Sequence, residues 1–282
     1  MGGLTWRMPI SIISLVLFAA LLHAGWNALL RGGQDRLWSM TVMCLAVAVT
    51  CITLALFMVA PAQASWPYAV LSGVLHVGYN LFLVRSYRAG DLGQTYPVAR
   101  GSSPILITLG AALFAGEQIQ ASALLGIFLV SGGIILLAFS KGKLAVPSLP
   151  YALGTGAFIA AYSVTDGIGA RLSGAPMAYT VWMCALWGVL MPAVYIARRG
   201  ARSLFAWRSG MATAAAGGLV SLLAYGIVIY AMTDAPMGMV SALRETSVLF
   251  AALIGYFFLG ESLTVRKVLA CTVIAVGTVI IG

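Results

Sequence analysis

Charged side chains are scarce in this sequence. Asp, Glu, Lys and Arg make up 8% of the 282 residues, against about 25% in an average soluble domain. Hydrophobic residues make up 61%, and the mean hydropathy is +1.01. A chain of this composition cannot cover itself with a water-facing surface, so the sequence predicts an all-α polytopic membrane protein.

Carboxylates and histidines are scarcer still, with seven Asp or Glu and two His in the whole chain. They form no dense cluster of the kind that metal or phosphoryl chemistry needs. The phosphate-binding motif GxxxxGK[ST] is absent, so ATP does not drive the protein through such a loop. These absences argue against an enzyme, and we expect no cofactor and no metal site.

Cysteine is also rare, and no CxxC pair is present. All four cysteines fall inside apolar runs, where a thiol packs as a small hydrophobe. They are Cys44, Cys51, Cys184 and Cys271. The sequence therefore predicts four buried free thiols.

Long apolar runs are what the chain has in abundance. About 20 apolar residues cross a bilayer as a helix, and ten stretches are long enough. They are residues 9–30, 37–60, 67–86, 93–115, 121–140, 150–170, 177–197, 210–232, 236–259 and 264–282. The connections between them are too short to hold a soluble domain, so we predict ten transmembrane helices.

The basic residues are distributed unequally between the two sides of such a bundle. Twelve follow odd-numbered spans: Arg31, Arg36, Arg85, Arg88, Lys141, Lys143, Arg198, Arg199, Arg202, Arg208, Arg266 and Lys267. Only Arg7 and Arg171 lie on the other side. The positive-inside rule then predicts cytoplasmic odd-numbered connections and periplasmic termini, in a bacterial inner membrane. The net charge of +9 thus reflects topology rather than nucleic-acid binding.

The chain also repeats itself at an offset of 144 residues. Arg100 aligns with Arg244 and Ser103 with Ser247, and Gly116-Glu117 aligns with Gly260-Glu261. Each half, residues 1–145 and 146–282, holds five predicted spans. Because five is odd, the second half enters the membrane in the opposite sense. Two inverted five-helix repeats are common in secondary transporters, which bind substrate between the repeats near the midplane.

Ten spans, two halves and a "GE" closing spans four and nine resemble the EamA-type transporters of the drug/metabolite transporter superfamily. The resemblance covers essentially the whole chain. It implies a secondary transporter that moves a small organic solute by alternating access. It also implies that spans one, three, four, six, eight and nine surround the central cavity, with spans five and ten at the periphery.

Arg100 and Arg244 stand inside apolar runs at equivalent repeat positions. A charge at mid-bilayer costs at least about 2.5–3.5 kcal/mol, so such residues normally face a cavity or a partner. A guanidinium group suits a carboxylate, phosphate or phosphonate. Three roles are open: bracing or gating, substrate binding, and snorkelling to the interface.

Glu245 follows Arg244 but should point about 100° away on a continuous helix. It therefore need not pair with Arg244. Three alternatives are an ion pair with Arg100 across the two halves, a contact with a cationic group of the substrate, and a role as carrier of a coupling proton. Its repeat equivalent is Gly101, so the duplication has lost its symmetry here.

Two predicted helices share the pattern H-x-x-[WY]-N. The residues are His23, Trp26 and Asn27 in span one and His76, Tyr79 and Asn80 in span three. Residues four apart share a helix face, so each pattern combines polar groups with an aromatic edge. Lining of a shared cavity, hydrogen bonds between helices and chance are all open.

Further candidates complete the substrate site. Tyr162 and Asp166 share a face of span six, although Asp166 could instead meet Arg171 at the surface. Tyr96 and Pro97 are expected to open span four, and span eight contributes Tyr225. Glu117 and Glu261 are expected to cap the helices that follow them.

These residues predict a carrier of a small polar or zwitterionic metabolite such as an amino acid, and we expect an exporter. The alternatives are a carrier of an anionic solute such as a carboxylate or phosphonate, and a multidrug or organic-cation exporter. Protons are the candidate coupling ion, with His23, His76, Glu245 or Asp166 as carriers. We expect a monomer or homodimer in the lipid bilayer.

Overall fold

A computed structural model describes residues 8–29, 35–89, 92–139, 146–205, 209–259, 262 and 264–282. All regular elements in this part of the chain are helical. The α-helices are α1 (Ile10–Leu29), α2 (Arg36–Ala55), α3 (Trp66–Ala89), α4 (Leu92–Ala115), α5 (Ala121–Ala138), α6 (Leu149–Leu172), α7 (Pro176–Arg199), α8 (Ala201–Phe205), α9 (Met211–Asp234), α10 (Met237–Arg244), α11 (Ser247–Leu259) and α12 (Val265–Ile281). Short 3-10 helices, Gln63–Ser65 and Val146–Ser148, precede α3 and α6.

Seven segments of the described chain are long and apolar enough to cross a membrane. They are α1, α2, α4, α5, α7, α9 and the stretch formed by α10 and α11. Helices α3 and α6 have 24 residues each but carry polar groups that lower their hydropathy. Helix α12 has 17 residues. That α3, α6 and α12 cross the membrane therefore stays a prediction, as does the total of ten transmembrane spans.

The outward surface of the bundle is apolar. Large side chains such as Phe57, Phe114 and Val279 are 77–83% exposed. A soluble monomer rarely leaves so many apolar side chains uncovered, whereas the hydrocarbon of a bilayer solvates them. Buried charges lie inside instead, among them Arg100, Asp166 and Arg244. This distribution and the long apolar helices show an integral membrane protein.

Helix pairs from the two halves pack in a corresponding order. Helix α2 packs on α7, and α5 packs on α12. Helix α3 packs on α6, as α9 packs on α1. Helix α4 also packs on α6, while α10 and α11 pack on α1. The centre of the molecule is thus built from helices of both halves.

Helices α5 and α12 meet through glycines that let their backbones touch. A Cβ atom on Gly126 would stand 2.8 Å from the carbonyl oxygen of Gly277, and a Cβ on Gly277 would stand 2.8 Å from that of Gly126. Real Cβ contacts are essentially never this short. Small residues that permit such an approach drive association of helices in lipid, where the hydrophobic effect does not.

The predicted ninth span, residues 236–259, is not one helix. Helix α10 ends at Arg244 and α11 begins at Ser247, with a turn between them. The Thr246 hydroxyl donates to the carbonyl of Leu243 at 2.7 Å, and the amide of Glu245 donates to those of Ser241 and Ala242. The bond from Glu245 to Ser241 is an ordinary helical one, whereas the amides of Thr246 and Val248 donate to carbonyls three residues earlier, so the helix tightens into a 3-10 turn here. The prediction of a continuous helix was wrong here.

Span four also differs from expectation at its beginning. Helix α4 starts at Leu92, so Pro97 lies within the helix rather than in its first turn. Pro104 lies within it as well and has no N–H to offer the carbonyl of Arg100. The Ser103 hydroxyl donates to that carbonyl at 3.0 Å. The two prolines thus weaken the backbone ladder on either side of Arg100.

A methyl group at the contact of α5 with α12 should destabilise the protein. We expect Gly126→Ala to lower the free energy of unfolding by about 1–3 kcal/mol, because the added Cβ overlaps a backbone oxygen that cannot turn away. Gly132→Ala is the matched control on the same helix, since an added Cβ there meets nothing within 4 Å. Thermal denaturation in detergent measures both variants, and equal melting temperatures would contradict the packing.

Candidate functional site

A buried ion cluster lies where α4 meets the break between α10 and α11. The Nε atom of Arg100 is 2.8 Å from Oε2 of Glu245, and Nη2 of Arg244 is 3.1 Å from Oε1 of the same carboxylate. Arg100 and Arg244 are each 3% exposed, and Glu245 is fully buried. One carboxylate therefore bridges two guanidinium groups from opposite halves of the chain. We call these three residues the charge cluster.

The charge cluster is incomplete in both charge and hydrogen bonds. Two guanidinium groups face one carboxylate, which leaves one positive charge uncompensated within the cluster. Among the described residues, Nε and Nη2 of Arg100 and Nε of Arg244 are buried and donate no hydrogen bond, so the 2.8 Å contact of Arg100 with Oε2 of Glu245 is an ion pair without hydrogen-bond geometry. Buried donors normally find a partner, so the arrangement suits an additional anionic group.

The pairing of Glu245 with Arg100 is one of the alternatives that the sequence left open. The contact with Arg244 departs from the 100° separation expected on a continuous helix. Glu245 still has helical backbone angles at the end of α10 (φ −68°, ψ −12°), so the two long neighbouring side chains bend toward each other to make this contact. The C-terminal end of α10 also carries partial negative charge, which favours a cation at Arg244.

Aromatic rings border the charge cluster. The guanidinium carbon of Arg100 is 5.7 Å from the ring centre of Tyr96, one turn earlier on α4. Tyr162 on α6 interacts electrostatically with Arg100, Arg244 and Glu245, and with Asp166 on its own helix. Tyr162 thus lies between the charge cluster and a second polar group of residues.

The second group surrounds His76 on α3 and is mainly aromatic. The imidazole stacks on Tyr162 at 4.0 Å between ring centres and on Trp187 at 5.4 Å. Tyr225 approaches its edge at 5.6 Å, and Tyr79 meets Tyr162 at 5.6 Å. His76 is 8% exposed. Faces from α3, α6, α7 and α9 therefore enclose this imidazole, and Asn80, one turn further along α3, is buried as well.

Asp166 belongs to this group and not to the surface. It is fully buried and accepts hydrogen bonds from the hydroxyls of Tyr225 at 2.6 Å and Tyr179 at 3.0 Å. The surface contact with Arg171 that the sequence left open is absent. Arg171 instead donates to Glu117 and to the carbonyls of Met232 and Ala235.

The pattern in α1 is mostly satisfied within its own helix. The Asn27 amide donates to the His23 carbonyl at 2.7 Å, and the Trp26 indole donates to Nδ1 of His23 at 3.3 Å. His23 nevertheless lies within electrostatic range of Arg100 and Arg244. The α3 pattern therefore belongs to the aromatic group around His76. The α1 pattern lies near the charge cluster only through His23.

Sequence reasoning missed three residues of this region: Ser72, Tyr179 and Trp187. The Ser72 hydroxyl lies 3.2 Å from Nδ1 of His76 and within hydrogen-bonding reach of Asp166. Ser72 precedes His76 by one helical turn, a spacing that could have drawn attention to it. Tyr179 and Trp187 carry no such signal, because they reach the group from α7 only through packing.

Ion pairs also join the halves at two ends of the bundle. At one end, Glu117 lies 2.5 Å from Arg171, and its carboxylate accepts a hydrogen bond from the Met237 amide at the start of α10. The expectation that Glu117 caps the following helix was therefore wrong; it caps α10 from the other half. At the other end, Arg199 donates to Asp35 at 2.6 Å. Glu261 lies outside the described residues.

Removal of the bridging carboxylate should destabilise the protein strongly. Glu245→Gln would leave two buried guanidinium groups without a counter-charge, and breaking a buried ion pair typically costs about 3–5 kcal/mol. Asp234→Asn, an exposed carboxylate at the end of α9, is the control and should change little. Thermal denaturation of the detergent-solubilised variants is the measurement. An unchanged melting temperature for Glu245→Gln would contradict the geometry of the charge cluster.

Comparisons with known proteins identify the class of this molecule. A solved crystal structure matches 96% of this chain and 97% of its own length, with a TM-score of 0.75 and 20% sequence identity. At this identity the likeness shows the fold alone. A search among curated proteins found no match. Residues 147–282 match the EamA-like transporter family. The apolar helices show that the chain is an integral membrane protein, and its second half is similar to the EamA-like transporter family.

Proposed function

We propose that the protein is a secondary active transporter for a small zwitterionic metabolite of the amino-acid type. It would work by alternating access between two inverted five-helix repeats, residues 1–145 and 146–282. The inner membrane is the proposed location, with both termini periplasmic, and export is the proposed direction. Protons are the proposed coupling ion.

One observation supports the proposed class of substrate. Among the described residues, the charge cluster has one uncompensated positive charge and three buried donors without acceptors, at a break between α10 and α11. Discontinuous helices of this kind form substrate sites in transporters. A carboxylate supplies the missing negative charge and accepts from a planar guanidinium. The rings of Tyr96 and Tyr162 nearby would support an ammonium group through cation–π contacts.

The packing of the helices supports the inverted repeats. Under a two-fold relation, α3 on α6 corresponds to α9 on α1, and both pairs are present. The pairs α2 with α7 and α5 with α12 would each lie on the axis. Arg100 and Arg244 then enter the centre from equivalent positions.

The two ion pairs at the ends of the bundle support alternating access. Under the predicted topology, Glu117 and Arg171 follow even-numbered spans, and Asp35 and Arg199 follow odd-numbered spans. Each pair joins the first half of the chain to the second. Rocking of one half against the other would break one pair at a time, as a transporter requires.

A carrier of a purely anionic solute is the second candidate. The net positive charge of the charge cluster favours it, since the described site around the arginines contributes no second carboxylate besides Glu245. A multidrug or organic-cation exporter would instead rely on the aromatic faces. The same binding experiment separates the three candidates.

Binding should be visible as thermal stabilisation of purified protein by solutes that carry a carboxylate. The panel holds amino acids, small carboxylates, phosphonates and organic cations. A ligand present at 100 times its dissociation constant raises the free energy of unfolding by about 2.7 kcal/mol. We expect amino acids to raise the melting temperature of the wild type, and Arg100→Gln to abolish this shift because it removes the unpaired donor.

Arg202→Gln is the matched control, because Arg202 is an exposed basic residue on α8. It should keep the shift of the wild type. Stabilisation by carboxylates or phosphonates without an amino group would favour the anion carrier. Stabilisation by organic cations that persists in Arg100→Gln would refute the zwitterion site and favour the organic-cation exporter.

Weakening one end contact should open that end of the bundle. In a background without the native cysteines, Ala235→Cys places a thiol at a buried position beside the Arg171 contact. Glu117→Gln should speed maleimide labelling of that thiol by on the order of five-fold, as expected for a partly exposed ion pair worth about 1 kcal/mol. Asp35→Asn, at the opposite end, should not speed it, and equal rates in all three proteins would contradict the role of Glu117.

A further inference from the structure

Asp166 is the carboxylate that the proposed substrate site does not use. It lies within α6, fully buried. Tyr225 from α9 donates to Oδ2, and Tyr179 from α7 donates to Oδ1. The Ser72 hydroxyl from α3 lies near the same carboxylate. Helices α7 and α9 thus both donate to one acidic group of α6.

The groups that face Asp166 from its neighbours are neutral hydroxyls, rings and thiols. Helix α3 contributes Ser72, α7 contributes Tyr179 and Cys184, and α9 contributes Tyr225. Tyr162 lies on α6 itself, between Asp166 and the arginines of α4 and α10. Within the described residues, the ion pairs join Arg100, Arg171, Arg199 and Arg244 to other carboxylates. No described basic side chain pairs with Asp166.

We propose that Asp166, held between hydroxyl donors of α7 and α9, is a proton-binding site. This inference rests on the proposed transport function, for which it names the residue that carries the coupling ion. The chemical step is the protonation of a carboxylate to a neutral carboxylic acid and its reversal.

The surroundings select a proton over a larger cation. Asp166 is fully buried and its two oxygens already accept from hydroxyls, so no space is left for an ammonium group. Hard divalent cations require at least about six oxygen ligands, and the hydroxyls of Tyr179 and Tyr225 direct their hydrogens at the carboxylate. A proton adds no volume and needs no ligand shell.

Asp166 is better suited to this role than Glu245. Protonation of Glu245 would leave the charges of Arg100 and Arg244 uncompensated in a buried site, which is costly. For Asp166, burial disfavours the charged form and hydroxyl donors favour it. These opposing effects allow a buried carboxylate to exchange a proton without disrupting an ion pair.

Protonation would also change how the helices hold together. The ionised carboxylate accepts two charge-assisted hydrogen bonds, which are about twice as strong as neutral ones. These bonds join α6 to α7 and α9. A neutral acid must donate one hydrogen itself, so one tyrosine hydroxyl has to turn and accept. Proton uptake therefore loosens contacts among helices at the centre of the bundle.

Infrared spectroscopy of the full-length protein in detergent, titrated with acid and base, tests this site. A buried protonated carboxyl gives a carbonyl stretching band distinct from the amide bands. We expect a band that titrates in the wild type and is lost in Asp166→Asn. The band should persist in Asp234→Asn, the exposed control.

Tyr225→Phe is a second variant that tests the proposal by the same measurement if Asp166→Asn does not fold. It removes one hydroxyl beside the carboxyl, so the band should persist at a shifted frequency, whereas Tyr230→Phe on the exposed side of α9 should leave it unchanged. A band that survives in Asp166→Asn, that is lost in Asp234→Asn, or that never titrates in the wild type would overturn the proposal.

The infrared result does not depend on transport or on the identity of the solute. Loss of the band in Asp166→Asn supports the proton site even if no member of the thermal-shift panel binds. Conversely, amino acids that stabilise the wild type and Asp166→Asn equally, together with an unaffected band, would refute the proton site alone. The two proposals can therefore fail separately.

Discussion

The contact of Glu245 with two arginines is the interaction on which the centre of this molecule depends. Charge inside a membrane protein is tolerated only with a counter-charge or a polar surrounding. Arg100 comes from the first half of the chain, and Arg244 and Glu245 come from the second. A buried charge without a partner is costly, so the ion pairs among these three residues favour contact between the two halves. Because the positive charge exceeds the negative, the contact also leaves capacity for an anion.

The charge cluster lies beside the turn that separates α10 from α11. Glu245 keeps helical backbone angles and reaches Arg244 through its long side chain. Irregular backbone at this depth is acceptable because it is buried in protein, away from lipid. The backbone is therefore irregular at the position where the side chains of the charge cluster meet.

The arrangement separates two kinds of polar chemistry. The charge cluster at α4 and α10 holds fixed ionic groups, whereas Asp166 is surrounded by hydroxyls and rings from α3, α7 and α9. Tyr162 lies between the two and contacts His76. A solute bound at the arginines would therefore be close to the helices whose contacts depend on Asp166. This proximity is a physical basis for coupling solute and proton.

The sequence by itself determined much of this protein, because the bilayer imposes strong and local requirements. Apolar length predicted the helices with boundaries within about five residues of those observed, apart from the broken ninth span. The rarity of charge within apolar runs singled out Arg100, Arg244, Glu245 and Asp166, all of which are buried. These inferences need only composition and spacing, which a sequence contains in full.

Only the tertiary structure decided which side chains meet. The turn at Glu245 satisfies its backbone through Thr246 and Leu243, a competition between local bonds that periodicity does not reveal. Glu117 caps α10, and Tyr179 reaches Asp166, because helices distant in sequence pack side by side. Partners across a bundle depend on rotation and depth of each helix, and these are set by packing against all neighbours at once.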